Sequence, residues 1–185
     1  MKPTLTFIAG ANGSGKTTLT RWNSEIFSQI PLLDPDAIAI MQPANTSSLL
    51  PLAAGRQALR SAAKHLNNDE SFAVETTLSG KIYLRMMLDA KARGFEVVLV
   101  YIGTENVEIN LQRIRNRVLA GGHGVPESDV RRRYKRSLNN LAAAIRRADH
   151  VILFDNSTED GYRLLAVLGK TGDHWFEAMP AWLHL

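Results

Sequence analysis

The chain has 185 residues, of which 45% are hydrophobic and 22% charged, with 22 lysines and arginines against 18 aspartates and glutamates and no cysteine. Such a composition excludes wholesale disorder and fibrous repeats, and the missing cysteine excludes disulfides, thiolate catalysis and thiolate metal sites. At this length about 70% of the unfolded surface is hidden on folding, which supports one domain over residues 1–185, and a net charge of +4 suits a phosphate-bearing ligand better than a coat for long nucleic acid.

In chain order, Thr4 to Ala9 is a short apolar run closed by glycine, which predicts a buried strand. A helix is expected over Lys16 to Phe27, then a very short strand at Leu32 and Leu33, stopped by Asp34-Pro35. Leu52, Leu59, Ala63 and Leu66 recur at helical spacing and predict an amphipathic helix over about 51–67. Ser71 to Glu75 reads as a strand, 80–93 as a helix ended by Gly94, and Phe95 to Ile102 as a strand. Val107, Leu111, Ile114 and Val118 mark one helical face. Gly121, Gly122 and Gly124 interrupt it, and Val130, Tyr134, Leu138, Leu141 and Ile145 define the next helix. His150 to Phe154 is a further strand, followed by a hairpin from Arg163 to Ala178 around Lys170-Thr171-Gly172, with Trp182 in a tail.

Strands alternating with helices imply an α/β fold with a mostly parallel sheet and helices on both faces. No apolar stretch approaches roughly 18 residues and no signal-peptide cleavage region follows the first strand, so a soluble cytoplasmic protein is expected.

The segment Gly10, Ala11, Asn12, Gly13, Ser14, Gly15, Lys16, Thr17 fits GxxxxGK[ST] at every required position, between a predicted strand and a predicted helix. Glycines let successive backbone N–H groups turn toward phosphates, and the helix N-terminus adds favourable partial charge. Lys16 would reach the β- and γ-phosphates, the Thr17 hydroxyl would ligate Mg²⁺, and Thr18 completes the nucleotide-binding run. A nucleoside triphosphate is therefore the expected ligand. No NKxD-like motif marks a GTPase, and the strand ends at Glu75 and Asp155 fit a motor ATPase only loosely. A compact P-loop kinase of small molecules fits better, with three layers and a lid carrying arginines over about 113–136.

An acceptor hydroxyl needs a carboxylate to orient it and take its proton. Asp34 and Asp36 follow the second strand and Glu75 ends the third, at the crevice where open α/β sheets bind ligands. Asp34 reads equally as a turn residue before Pro35, and Glu75 as a helix cap or as a group reaching Mg²⁺ through water. Arg113 and Arg117 are four apart and share a helix face. They precede the glycine hinge, which holds His123, and a run of Arg131, Arg132, Arg133, Lys135 and Arg136 follows. Such a run also reads as a solvated face, and of three consecutive arginines at most one or two can aim at one ligand.

Taken together, the P-loop, Leu33-Asp34-Pro35-Asp36, Gly55-Arg56, Val74-Glu75-Thr76-Thr77, and Arg113 to Arg117 followed by Gly-Gly-His-Gly-Val-Pro126 resemble the zeta-toxin family of P-loop kinases, over about Pro3 to Ser157. The resemblance is to the compact branch of that family. It implies ATP- and Mg²⁺-dependent phosphorylation of a sugar hydroxyl of UDP-N-acetylglucosamine or a similar UDP-sugar, and an antitoxin partner. It makes Asp36 the catalytic base, with Lys16 and Arg117 acting on the transferring phosphate. Asp34, Arg56, Glu75, Thr77 and Arg113 would line the substrate pocket, and His123 falls where the family has a second lid cation. Two other functions stay open: a kinase of another acceptor (a nucleoside, an antibiotic or a polynucleotide end), and a non-catalytic ATP-binding regulatory or nucleic-acid-binding module. Against nucleic acid, only Tyr134 lies among the basic residues, where stacking platforms are expected.

Overall fold

The computed structural model describes residues 2–34 and 50–184. Seven strands form one sheet in the order β2-β3-β1-β4-β5-β6-β7: β1 (Thr4–Ala9), β2 (Leu32–Leu33), β3 (Phe72–Thr76), β4 (Glu96–Gly103), β5 (His150–Asp155), β6 (Arg163–Gly169) and β7 (His174–Trp175). The first five strands of that order run parallel; β6 and β7 return antiparallel as the expected hairpin, its second strand shorter than the sequence suggested.

Strand β1 sits at the centre because both its faces are apolar, with Leu5, Phe7, Ile8 and Ala9 all fully buried. Leu5, Phe7 and Ala9 face a core shared with α3 (Leu50–Asn67), α4 (Lys81–Ala92) and α6 (Glu127–Ile145), while Ile8 faces the side covered by α1 (Lys16–Trp22) and α2 (Ser24–Phe27). A third small cluster, Leu111, Ile114 and Val130, packs α5 (Val107–Leu119) against α6. The chain leaves β1 toward β2 and β3 on one side and later reaches β4 and β5 on the other. The crevice above β1 is thus a topological switch point, the place where such sheets bind ligands.

Three expectations need correction. The helix after the P-loop is not continuous to Phe27: the Asn23 side chain donates to the Leu19 carbonyl at 2.9 Å, competing with the helical ladder, and the chain restarts as α2. Helix α3 buries Ala54, Ala58, Ala62 and Leu66, with Leu59 partly buried and Ala63 exposed, so alanines rather than leucines make the close approach to the sheet. On α5 the buried face ends at Ile114, and Val118 is exposed.

The C-terminal tail returns to the core. Trp182 and Leu183 are buried, and the indole lies so close over Gly103 that a Cβ there would stand 2.2 Å from it. Its Nε1 donates to Asp155 Oδ2 at 3.1 Å.

Candidate active site

Between β1 and α1 the P-loop wraps so tightly that side chains are excluded. Gly13 has φ 79°, and a Cβ on it would lie 2.6 Å from the Asn110 carbonyl oxygen; Gly15 has φ 108°, and its Cβ would meet Asn156 Nδ2 at 2.6 Å and the Tyr162 hydroxyl at 2.8 Å. The loop is held from behind by its carbonyls. Asn110 Nδ2 donates to Asn12 O at 2.7 Å, Asn156 Nδ2 to Ser14 O at 2.8 Å, and the Tyr162 hydroxyl to Gly15 O at 2.6 Å. Burial raises the Tyr162 pKa above that of a free phenol, so this donor keeps its proton at neutral pH. Asn110 is itself fixed by the Thr104 hydroxyl, and Tyr134 donates to Thr104 O at 2.7 Å. The Gly10 and Ser14 N–H groups go to the carbonyls of Thr76 and Ala11, and with the other carbonyls tied outward the remaining loop N–H groups are left to an anion in the cradle.

That cradle opens into a cavity of about 580 Å³. Lys16 lines it, mostly buried, its Nζ resting on Ala11 O at 3.2 Å. The Thr17 hydroxyl donates to Glu75 Oε1 at 2.9 Å, joining the start of α1 to the end of β3. Asp34 follows Leu33, which pairs with Val74, and does not itself line the cavity formed by the described residues. A hydroxyl and a carboxylate in contact are the hard oxygen donors that Mg²⁺ accepts when phosphates and water complete its shell, so the pair fits that ion. Among the described residues no group of three His, Cys, Asp or Glu forms an all-protein metal cage.

Helix α5 supplies the facing wall. Arg113 and Arg117 both line the cavity. Arg113 is spent on backbone, donating to Asn156 O at 2.7 Å and Thr158 O at 3.2 Å, which fastens the loop after β5. Arg117 is exposed and, among the described residues, makes no ion pair or hydrogen bond through its side chain. Its stem closes over Gly122, where a Cβ would lie 2.7 Å from Arg117 Cγ.

The remaining residues singled out in the sequence lie elsewhere. Asp36 is outside the described residues. Arg56 is exposed on α3, Thr77 pairs with the Ser79 hydroxyl at 2.9 Å, and His123 is exposed in the glycine loop; none of the three lines the cavity formed by the described residues. Most of the basic run is a solvated face. Arg131 bonds Glu108 and Glu127, whose carboxylate it holds below the usual range, and Arg132 pairs with Asp129 at 2.7 Å. Arg133 alone of the three turns toward the P-loop, with Nη1 3.4 Å from Asn12 Oδ1.

Asn110, Asn156 and Tyr162 escaped the sequence reading because an asparagine or tyrosine in a loop or on a helix carries no spacing rule. Their only trace is a polar residue placed directly after a buried strand or among apolar helix positions. Leu78 escaped too: buried, with φ 56°, it holds a left-handed turn after β3 that is fixed by Thr76 Oγ1 on its N–H and by Asn140 on its carbonyl.

The family model for zeta toxin matches residues 1–162. The chain belongs to the zeta toxin family. An uncharacterized protein of Haemophilus influenzae is 40% identical over 128 residues, covering 69% of this chain and 90% of its own. Two crystal structures of the AvrRxo1-ORF1:AvrRxo1-ORF2 pair superpose well: one with sulphate ions (TM-score 0.76, 18% identity) and one with ATP (TM-score 0.71, 17% identity). Each covers 96% of this chain, but the chain spans only 62% and 61% of those solved chains. The PezAT toxin–antitoxin system of Streptococcus pneumoniae matches at TM-score 0.65 and 18% identity, covering 98% of this chain and 75% of that one. At these identities the solved structures establish the fold, a mostly parallel P-loop kinase sheet. No helix among the described residues is long and apolar enough to cross a membrane.

Proposed function

We propose that the protein is an ATP-dependent kinase that transfers the γ-phosphoryl group to a hydroxyl of a UDP-sugar, with UDP-N-acetylglucosamine as the leading acceptor. The observation that carries the reading is the convergence, on one cavity, of Lys16 in the P-loop, the Thr17–Glu75 pair and the Arg113–Arg117 face of α5. A binding module has no need of an uncommitted arginine facing a P-loop lysine. The acceptor follows from the family resemblance of the Leu33 to Asp36 and Glu75 to Thr77 segments.

In this reading the P-loop N–H groups and Lys16 bind the triphosphate tail. Thr17, and Glu75 through water, would hold Mg²⁺, which when bound spreads the charge of the β- and γ-phosphates. Asp36 accepts the proton of the acceptor hydroxyl while the new O–P bond forms and the bond from the γ-phosphorus to the β–γ bridging oxygen breaks, releasing ADP. Arg117 neutralises charge that develops on the moving phosphoryl group. Arg113 holds the loop behind the nucleotide, and Asp34, Arg56 and Thr77 belong to the acceptor side. Arg133, which reaches the Asn12 side chain of the P-loop, joins His123 as a candidate for the second lid cation. The reading places the reaction in the cytoplasm, where ATP and UDP-sugars occur together. An antitoxin chain as partner is supported by the likeness to PezAT, a toxin–antitoxin system, and to AvrRxo1-ORF1, solved together with AvrRxo1-ORF2.

The test is incubation of the protein with labelled ATP and a panel of acceptors including UDP-N-acetylglucosamine, read by mass spectrometry, beside Asp36→Asn. The expected outcome is one phosphorylated acceptor and a loss of about 10² to 10⁴ in rate for Asp36→Asn with ATP affinity kept. Wild-type turnover by Asp36→Asn would move the base to Asp34 or Glu75, and no label in any UDP-sugar would remove the acceptor assignment.

A further inference from the structure

Trp22 closes α1, six residues beyond Lys16, and is 70% exposed although it lines the phosphate-binding cavity. An indole left so open in a ligand wall forgoes most of the burial that normally justifies the residue. Yet its ring is fixed. It meets Tyr162 edge-on, with centroids 5.6 Å apart and planes at 85°, and Tyr162 meets Phe154 in the same way at 6.1 Å. The Tyr162 hydroxyl is bonded to Gly15 O, so the aromatic corner is tied to the P-loop itself.

Two of the polar side chains around this corner are already engaged. Asn156 holds Ser14 O, and Arg113 holds the carbonyls of Asn156 and Thr158. An incoming base therefore finds aromatic faces, with the exposed Glu159 carboxylate and the exposed Arg21 guanidinium in the same lining.

We propose that Trp22, backed by Tyr162, is the stacking shelf for the nucleobase of the donor triphosphate, and that the site consequently selects a base-bearing triphosphate over bare polyphosphate while discriminating little between adenine and guanine. The inference rests on the reading of the cavity as a triphosphate site. Stacking is blind to base identity because every base has a π-face. Strong discrimination comes instead from hydrogen bonds that a wrong edge leaves unmade.

The test is calorimetry and tryptophan fluorescence on the full chain, with Mg²⁺, using ATP, GTP, tripolyphosphate and UDP as probes against wild type, Trp22→Ala and Trp22→Phe. Because Trp22 projects into solvent, both variants keep the fold. In wild type, ATP and GTP are expected to bind within about fivefold of each other and to quench fluorescence; Trp22→Ala weakens both by about tenfold, with tripolyphosphate affinity unchanged, and Trp22→Phe restores most of the loss. Unchanged ATP affinity in Trp22→Ala removes the shelf and leaves the triphosphate site standing. Equal loss of ATP and tripolyphosphate, a preference for ATP over GTP of about a hundredfold, or quenching by UDP but not ATP overturns the proposal as well. If wild type binds no triphosphate at all, the reading beneath it falls too.

Discussion

Asn110, Asn156 and Tyr162 add to the P-loop what its glycines do not provide: they take the carbonyls of Asn12, Ser14 and Gly15 and so leave the remaining N–H groups turned to the cradle. Against that prearranged cradle Lys16 supplies charge, and Lys16→Ala is expected to abolish nucleotide binding in calorimetry while circular dichroism stays native. The two α5 arginines separate by role. Arg117 faces the cavity uncommitted, so Arg117→Ala should lower kcat by on the order of 100-fold with a milder loss of nucleotide affinity. Arg113 is bonded to Asn156 O and Thr158 O, so Arg113→Ala should chiefly raise the KM for the nucleotide by loosening that loop. If steady-state kinetics gave both variants the same profile, the division between them would not hold. At this scale the P-loop was legible because its chemistry imposes a spacing. The residues behind it were not, since any hydrogen-bonding side chain that reaches a carbonyl serves, wherever it stands in the chain.

Among elements, the alternation of strands and helices was readable because a parallel strand buried on both faces is a continuous apolar run, as in β1 and β4, and its covering helices carry a 3.6-residue stripe. What failed did so for local reasons. Asn23 ends α1 after Trp22, its own amide turned back to the Leu19 carbonyl, and α3 turns alanines to the sheet where a leucine stripe was expected. The tail was the least legible element, because Trp182 follows a segment with no periodicity and finds its place only through contacts distant in sequence. Those contacts matter to the site: Asp155, which accepts from Trp182 Nε1, also accepts from the Ser157 N–H at the start of the loop that carries Asn156 and Tyr162. Trp182→Ala is expected to cost about 3–5 kcal/mol of stability, as large-to-small core substitutions do, measured by denaturant unfolding. Trp182→Phe keeps most of the ring but not the donor, so it should recover much of the stability while still raising the KM for the nucleotide. Full recovery of both would make the tail mere packing.

At the scale of the whole molecule, one carboxylate at the end of the sheet opposite the P-loop ties several elements together. Asp149 Oδ2 accepts from the Val97 N–H at 2.9 Å, and its Oδ1 lies 3.2 Å from Lys91 Nζ on α4 and 3.3 Å from Lys170 Nζ in the β6–β7 turn. It therefore joins β4, the start of β5, a covering helix and the hairpin. Burial of Asp149 works to raise its pKa, but the Val97 N–H and the two lysines outweigh it and hold the carboxyl below the usual carboxylate value. A pKa depressed by folding means the folded state favours the ionised form. The stabilisation is fully present above the unfolded pKa of about 3.9 and is lost as pH falls through the lower, folded value. Lys91 and Lys170 are both partly exposed to water, which screens the pairs and limits their worth to about 1 kcal/mol. For a chain of this length that corresponds to about 2–4 °C in Tm. Asp149→Asn keeps an oxygen for the Val97 N–H and removes only the charge, so its Tm should lie below wild type by that amount at pH 7. As the pH falls through the lower, folded pKa and wild type is itself protonated, the two Tm values should converge, because both side chains are then neutral. Thermal melts of the pair across that range decide the matter: a constant gap would mean the asparagine disturbs packing, and no gap at pH 7 would mean the lysine pairs contribute nothing.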